Sequence, residues 1–267
     1  METKSIVAAT ALAVLWVIEG LLPMFEGRED RPRHDLSNLV LGVGNALLVS
    51  VLFAGATLYV TVWAETSGFG ILHWLTLSPL LALVLAVVLL DLWQYWWHRL
   101  NHIVPLLWRF HAVHHADKEL DVTSGLRFHT GEILLSSLAR LAVLPLLGMS
   151  IEQVLIYESI LLPVILFHHS NVRLSDPFDR GLRWLIVTPW MHWVHHSEYQ
   201  PETDSNYSSV LSLWDRLFGS FRLVKDPRAL TLGLEDMEPH EWRTLRGMLA
   251  MPFKKRGVRR LPGSEDK

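Results

Sequence analysis

The sequence predicts an all-α, polytopic membrane protein of about four to five membrane-embedded helices, with a cytoplasmic helical cap that carries histidine boxes. Three observations predict it. The 267 residues are 50% hydrophobic and 19% charged, against roughly a quarter charged in soluble domains. Mean hydropathy is +0.25. The apolar residues lie in runs of about 20, the length that crosses a hydrocarbon core of ~30 Å as helix, and fourteen histidines are present, eleven of them between His98 and His196.

The runs come in order. Residues 5–25 hold one ionisable group, Glu19, near their end. The run is too long for a signal peptide and lacks both a basic leader and a small-residue cleavage site, so it reads as a retained span. Residues 39–62 carry no charge, and residues 71–90 carry none before Asp91. Residues 133–167 contain two shorter arms, broken at Gly148-Met149-Ser150 and holding Arg140. They read as a helical hairpin that spans or partly penetrates.

Charge asymmetry orients the chain. The connections near 65–70 and near Gly148 have no Lys or Arg, whereas Arg28, Arg31 and Arg33 fill the 23–36 connection and basic residues crowd everything after Phe167. By the positive-inside rule that basic side is cytoplasmic. A single domain over residues 1–267 follows: spans in 5–90, a first cap segment at 91–130, the hairpin at 133–167, and a second cap segment at 168–267 that ends in a basic tail at 254–260. The net charge of -3 points to no polyanion, so nucleic acid is not an expected partner. The absence of cysteine excludes disulfides, zinc thiolates, iron–sulfur clusters and thiol nucleophiles together.

The histidines then carry the chemistry. His98 and His102 form H-x3-H; His111, His114 and His115 form H-x2-H-H; His192, His195 and His196 repeat H-x2-H-H. On a helix, positions i, i+3 and i+4 share one face, so each box aims its imidazoles at one place. Adjacent histidines stand ~100° apart on a helix, so one H-H pair can serve two metals. Eight imidazoles exceed the needs of one ion, and two metals are the economical reading. His34, His73 and His240, outside every box, read as ordinary interfacial or satisfied polar groups. No H-E-x-x-H is present, which disfavours a zinc protease, and no E-x-x-H pairs occur, which excludes the soluble carboxylate di-iron bundle. Imidazole suits zinc, copper, iron and nickel alike, so spacing alone leaves the metal open.

The boxes, their order and their place after a long membrane hairpin resemble the fatty acid hydroxylase/sterol desaturase family. So do "DLWQYWWHRLNH" from Asp91, "RFHTGE" from Arg127, "FHHSNV" from Phe167 and "NYSSVLSLWDRLFGSF" from Asn206. The resemblance implies two non-haem irons, O2 as co-substrate, and hydroxylation or desaturation of a lipid-like substrate (fatty acyl, sterol, carotenoid or related). It implies metal ligands at His98, His102, His111, His114, His115, His192, His195 and His196. His169 matches the family's histidine before Ser-Asn and joins them. His129 stands where the family has His-Pro-x-Glu, with Thr130 replacing the proline, so it is a ligand or supports one. His168 has no motif position, and Ser208 replaces a glycine frequent after Asn-Tyr.

Asp91 reads either as a boundary charge or as the carboxylate that takes the outer N–H of a ligand imidazole, a common partnership. Hydrogen abstraction followed by oxygen rebound gives an alcohol, and a second abstraction gives an alkene. Each turnover takes two external electrons. "GVGNAL" at Gly42 lacks a third glycine and lies within an uncharged run, so it is no dinucleotide site. The expected partners are therefore the bilayer, an apolar substrate and a separate electron-donor protein, in a bacterial inner membrane or endoplasmic reticulum. Two other classes share the same histidines. A zinc-dependent membrane hydrolase or isomerase is separated by metal analysis and O2 consumption. A non-catalytic membrane metal or haem protein is separated by a Soret band.

Overall fold

The structure, a computed structural model, describes residues 2–28, 30–235 and 237–254. The basic tail beyond residue 254 lies outside the described residues. Among the described residues, five helices are long and apolar enough to cross a membrane: α1 (Glu2–Leu21), α2 (Arg31–Ser67), α3 (Pro79–Ile103), α5 (Thr130–Leu147) and α6 (Ile151–His169). The cap is built from α4 (Pro105–His115), α7 (Asp176–Leu182), α8 (Pro189–His195), α9 (Gln200–Thr203), α10 (Leu213–Leu217), α11 (Pro239–Trp242) and α12 (Leu245–Ala250). Among the described residues there is no sheet, only isolated bridges such as Pro23 to Val172 and Ile186 to Leu211.

Helix α2 extends well beyond the uncharged run inside it. Its 37 residues reach about 55 Å at the helical rise, nearly twice a hydrocarbon core. Pro32 fits the first turn, where an N–H has no helical partner. Gly68 ends the helix with a left-handed φ of 65°, which lets the Phe69 N–H return to the Ala64 carbonyl. The surplus turns at the start bury His34, Asp35 and Asn38 against a 3-10 turn at Val122–Leu126.

Helix α3 is shifted from the expected span. Residues 71–77 are not helical; Ser78 caps the helix and Pro79 opens it. The Ile71 and Leu72 N–H groups instead donate to the Leu146 and Leu147 carbonyls, at 3.1 and 2.9 Å. Gly70, at φ 108°, lies so close to Gly148 that a Cβ would collide with backbone. From Pro79 the helix runs through Asp91 without a break and carries His98 and His102. Span and first box are one rod.

The hairpin forms as its sequence suggests. Gly148 terminates α5 at φ 75°, and Ser150 with Gln153 makes a reciprocal cap on α6. Lengths of 18 and 19 residues give about 27–29 Å, close to a full crossing. Arg140, the hairpin's one cation, pairs with Glu158 across it at 2.7 Å, and Lys4 of α1 pairs with the same carboxylate.

One piece of the cap packs against the long helices. Asp91, wholly buried, accepts from the Tyr157 hydroxyl at 3.0 Å, the Leu211 N–H at 3.0 Å and the Trp214 indole at 2.8 Å. Val210 packs with Leu90, Tyr157 and Leu161 in the largest apolar cluster. Residues 207–217 thus descend between α3 and α6, tied to Asp91. Among the described residues no imidazole touches this carboxylate; its partners are the Tyr157 hydroxyl, the Leu211 N–H and the Trp214 indole. Asp91→Ala strands three donors, each worth about 1–3 kcal/mol when buried and unpaired. The expected result is a loss of roughly 3–5 kcal/mol in detergent unfolding, with metal content per folded molecule unchanged. A fall in metal content instead would restore the ligand-orienting role.

Candidate metal centre

Four elements converge on one buried volume. Helix α3 brings His98 and His102. Helix α4, turned back by Val104-Pro105, brings His111, His114 and His115. His169 comes from the end of α6, and α8 with its cap residue brings His192, His195 and His196. The nitrogens form two groups, each with its ligand atoms within 4.8 Å of one another. The first holds His98, His102, His111, His115 and His195; the second holds His114, His169, His192 and His196. Each adjacent pair divides: His114 from His115, and His195 from His196. The two groups abut, with the His115 and His196 rings stacked at 4.5 Å.

The outer nitrogens explain the convergence. His98 Nδ1 donates to the Tyr207 carbonyl at 2.8 Å, His114 Nδ1 to that of Arg127 at 3.1 Å, His169 Nδ1 to that of Ile165 at 2.7 Å, and His195 Nδ1 to that of Ser205 at 2.6 Å. His111 Nδ1 donates to Glu132 at 2.8 Å. A neutral imidazole whose Nδ1 carries the proton presents a lone pair at Nε2. In the His195–His98 and His169–His114 pairs, where both Nδ1 atoms donate outward, two such lone pairs face one another. His195 and His98 meet Nε2 to Nε2 at 3.0 Å, as do His169 and His114, and His192 and His169; His196 meets His192 at 3.1 Å.

Acceptors facing acceptors repel unless a cation lies between them. Two imidazole nitrogens bound about 2.1 Å from one ion and at right angles stand about 3.0 Å apart. The donor set therefore fits two metal ions. Burial, with the neighbouring imidazoles next, holds His114, His115, His192, His195 and His196 well below the usual histidine range, so each is neutral and able to ligate.

Two of the sequence-predicted residues stand elsewhere: Asp91, tied to residues 207–217, and His129. His129 caps α5, its Nδ1 accepting the Gly131 N–H at 2.9 Å while its ring lies against Phe110. It is outside both groups. The sequence held a sign of this, since a polar residue followed three positions later by Glu is a helix-start pattern. His168 also lies outside them, although its ring sits 4.0 Å from that of His192.

Sequence reasoning missed three participants. Glu132 receives the His111 N–H, Asp204 stands 3.4 Å from His102 Nδ1, and His34 is no ordinary interfacial group. His34 is buried with Nε2 at 3.0 Å from both Asp117 oxygens and Nδ1 at 3.1 Å from Asp121. His34, Asp35 and Asp121 could geometrically hold an ion. Arg28 pairs with Asp121 and Arg31 with Asp35, however, so cations already neutralise that cluster. A carboxylate that takes a ligand imidazole's outer N–H, as Glu132 does, sets ligand orientation and typically matters 10–100-fold for metal affinity. Glu132→Ala is therefore expected to weaken metal binding by about 100-fold and Glu132→Gln by about tenfold. Metal titration of the isolated protein checks both, and equal affinities would make Glu132 a bystander.

The fatty acid hydroxylase family profile matches residues 83–220, from near the start of α3 through α10. The chain belongs to the fatty acid hydroxylase family. Ornithine lipid hydroxylase OlsE of Rhizobium tropici is 26% identical over 98% of the chain and 79% of its own length. Human alkylglycerol monooxygenase is 28% identical over 85% of the chain, which spans 48% of that protein. Rat cholesterol 25-hydroxylase is 29% identical over 60% of the chain and 53% of its own length. No solved structure matches. As a fatty acid hydroxylase family member this integral-membrane chain is an oxidoreductase, and the matched residues contain every member of both imidazole groups.

Proposed function

We propose that the chain is an O2-dependent, di-iron hydroxylase of a membrane lipid, supplied with electrons by a separate protein. The observation that carries this reading is the pair of abutting imidazole groups, five of whose members (His98, His111, His114, His169 and His195) have Nδ1 held from outside. Five nitrogens would hold one iron and four the other. Bound iron supplies the redox chemistry with which O2 attacks an unactivated C–H bond. The chain's own work is to hold the ligands in register, exclude water, and bring the lipid in from the bilayer. Overall, the substrate C–H, O2, two electrons and two protons give an alcohol and water. A hydroxylase outcome is preferred to desaturation because the relatives' names are those of hydroxylases and monooxygenases. An acylated amino-acid lipid heads the substrates to test, since the relative matched over 98% of the chain is an ornithine lipid hydroxylase.

The test compares lipids of expressing and non-expressing cells grown under isotopically labelled O2. A lipid heavier by one labelled oxygen is expected. A product lacking two hydrogens, without label, would make the enzyme a desaturase. Turnover without O2 on zinc alone would end the oxygenase reading. The cap is assigned to the cytoplasmic side on charge, and the cysteine-free sequence gives a clean check. An impermeant thiol reagent on intact cells should label Ser67→Cys and spare Tyr199→Cys.

A further inference from the structure

We propose that residues 183–185 and 213–217 form a lipid-facing wedge, seated among the acyl chains and head groups of the cap-side leaflet of the bilayer that holds α3 and α6. Asp91 precedes His98 by seven residues on one continuous helix, so it sits about 10 Å further into the span. Its carboxylate grips the Leu211 N–H and the Trp214 indole. Helix α10 is therefore drawn alongside the apolar part of α3, below the histidines.

Its outer face matches that position. Trp214 turns inward to Asp91, while Leu213 and Leu217, one turn apart, turn outward, Leu217 being 63% exposed. Trp184 and Leu185 continue the same surface at 70% and 64% exposure. The two strips are stitched together: the Ser212 N–H donates to the Leu185 carbonyl, and Arg216 donates to the Arg183 carbonyl at 2.8 Å. The Arg216 guanidinium also lies 4.7 Å over the Trp184 ring. Apolar residues this exposed and contiguous need a cover. Tryptophan and arginine beside leucine are the side chains of the zone where acyl chains meet head groups. The adjoining spans put that zone at this depth.

The wedge would also link lipid contact to the metal centre. The loop that precedes it supplies the Ser205 and Tyr207 carbonyls that hold His195 and His98.

Single cysteines at Leu185 and Leu217, labelled with an environment-sensitive fluorophore, test this in vesicles of phosphatidylcholine and phosphatidylglycerol. Val51→Cys, exposed midway along α2, is the lipid reference, and Tyr199→Cys, beside an open pocket lined by Glu198, Glu202 and Glu235, is the aqueous one. Nitroxide-bearing lipids with the nitroxide near the glycerol should quench positions 185 and 217 strongly, and aqueous iodide should quench them weakly. Iodide quenching like that at position 199 would overturn the proposal. So would protection from both quenchers, which would indicate a second protein copy as the cover. The unsubstituted protein gives an independent reading. A phospholipid with a photoreactive acyl chain should crosslink to Trp184, Leu185, Leu213 or Leu217, and labelling confined to the long helices would reject the wedge even if the variants misfold.

Discussion

Alanine at His195 is expected to abolish turnover and to empty the group of five imidazoles, and alanine at His114 to do the same to the group of four. Each residue belongs to one group only. Each is fixed from behind by a carbonyl, from Ser205 and Arg127 respectively. Loss of an outer partner alone typically costs 10–100-fold in metal affinity or activity, so loss of the ligand itself should exceed about 100-fold. Elemental analysis of protein grown iron-replete should find about two irons per chain before substitution, as two-metal chemistry requires. It should find about one or fewer after it. His240→Ala, on an exposed surface, is the control. His129→Ala is a sharper one: it should lose a helix cap worth about 1 kcal/mol and keep its metal. If the His114 or His195 variant still forms product, the inward-facing nitrogens are not a catalytic centre.

How far the sequence reached can be judged residue by residue. The spans were legible because a membrane leaves a one-dimensional trace: uncharged runs of fixed length need no knowledge of what packs on them. Ligand boxes were legible for a related reason. Three imidazoles within one helical turn share a face whatever the rest of the fold does, so the spacing encodes the convergence. Where two partners lie far apart in the chain, that advantage disappears. Asp91 meets Trp214 across 123 residues, and His34 meets Asp117 across 83. Neither pairing leaves any periodicity to read. The start of α3 was misplaced for a similar reason. Residues 71–77 are as apolar as a span, yet they are held as a turn by the Leu146 and Leu147 carbonyls, contacts that composition cannot report.

His34→Ala is expected to cost as much stability as Asp91→Ala, at a histidine that the sequence read only as an interfacial or satisfied polar group. In the fold its two nitrogens stand between two buried carboxylates. Asp117 also accepts from the Ser124 hydroxyl at 2.7 Å, and its carboxyl is held well below the usual range, against burial, by His34 and then Arg127. Deleting the ring leaves Asp117 and Asp121 with less opposing charge in a dry environment. Breaking a buried pair in this way typically costs 3–5 kcal/mol, roughly a 10 °C fall in unfolding temperature at this size. The damage should not stop at stability. Arg127, which lies beside Asp117, donates to the Val113 carbonyl, and its own carbonyl holds His114 Nδ1. Metal should therefore leave the group of four before the group of five. Combining His34→Ala with Asp117→Asn removes part of the stranded charge, so the double variant should recover some of the loss. If His34→Ala unfolds with His240→Ala and the double variant recovers nothing, the carboxylates do not depend on the ring between them.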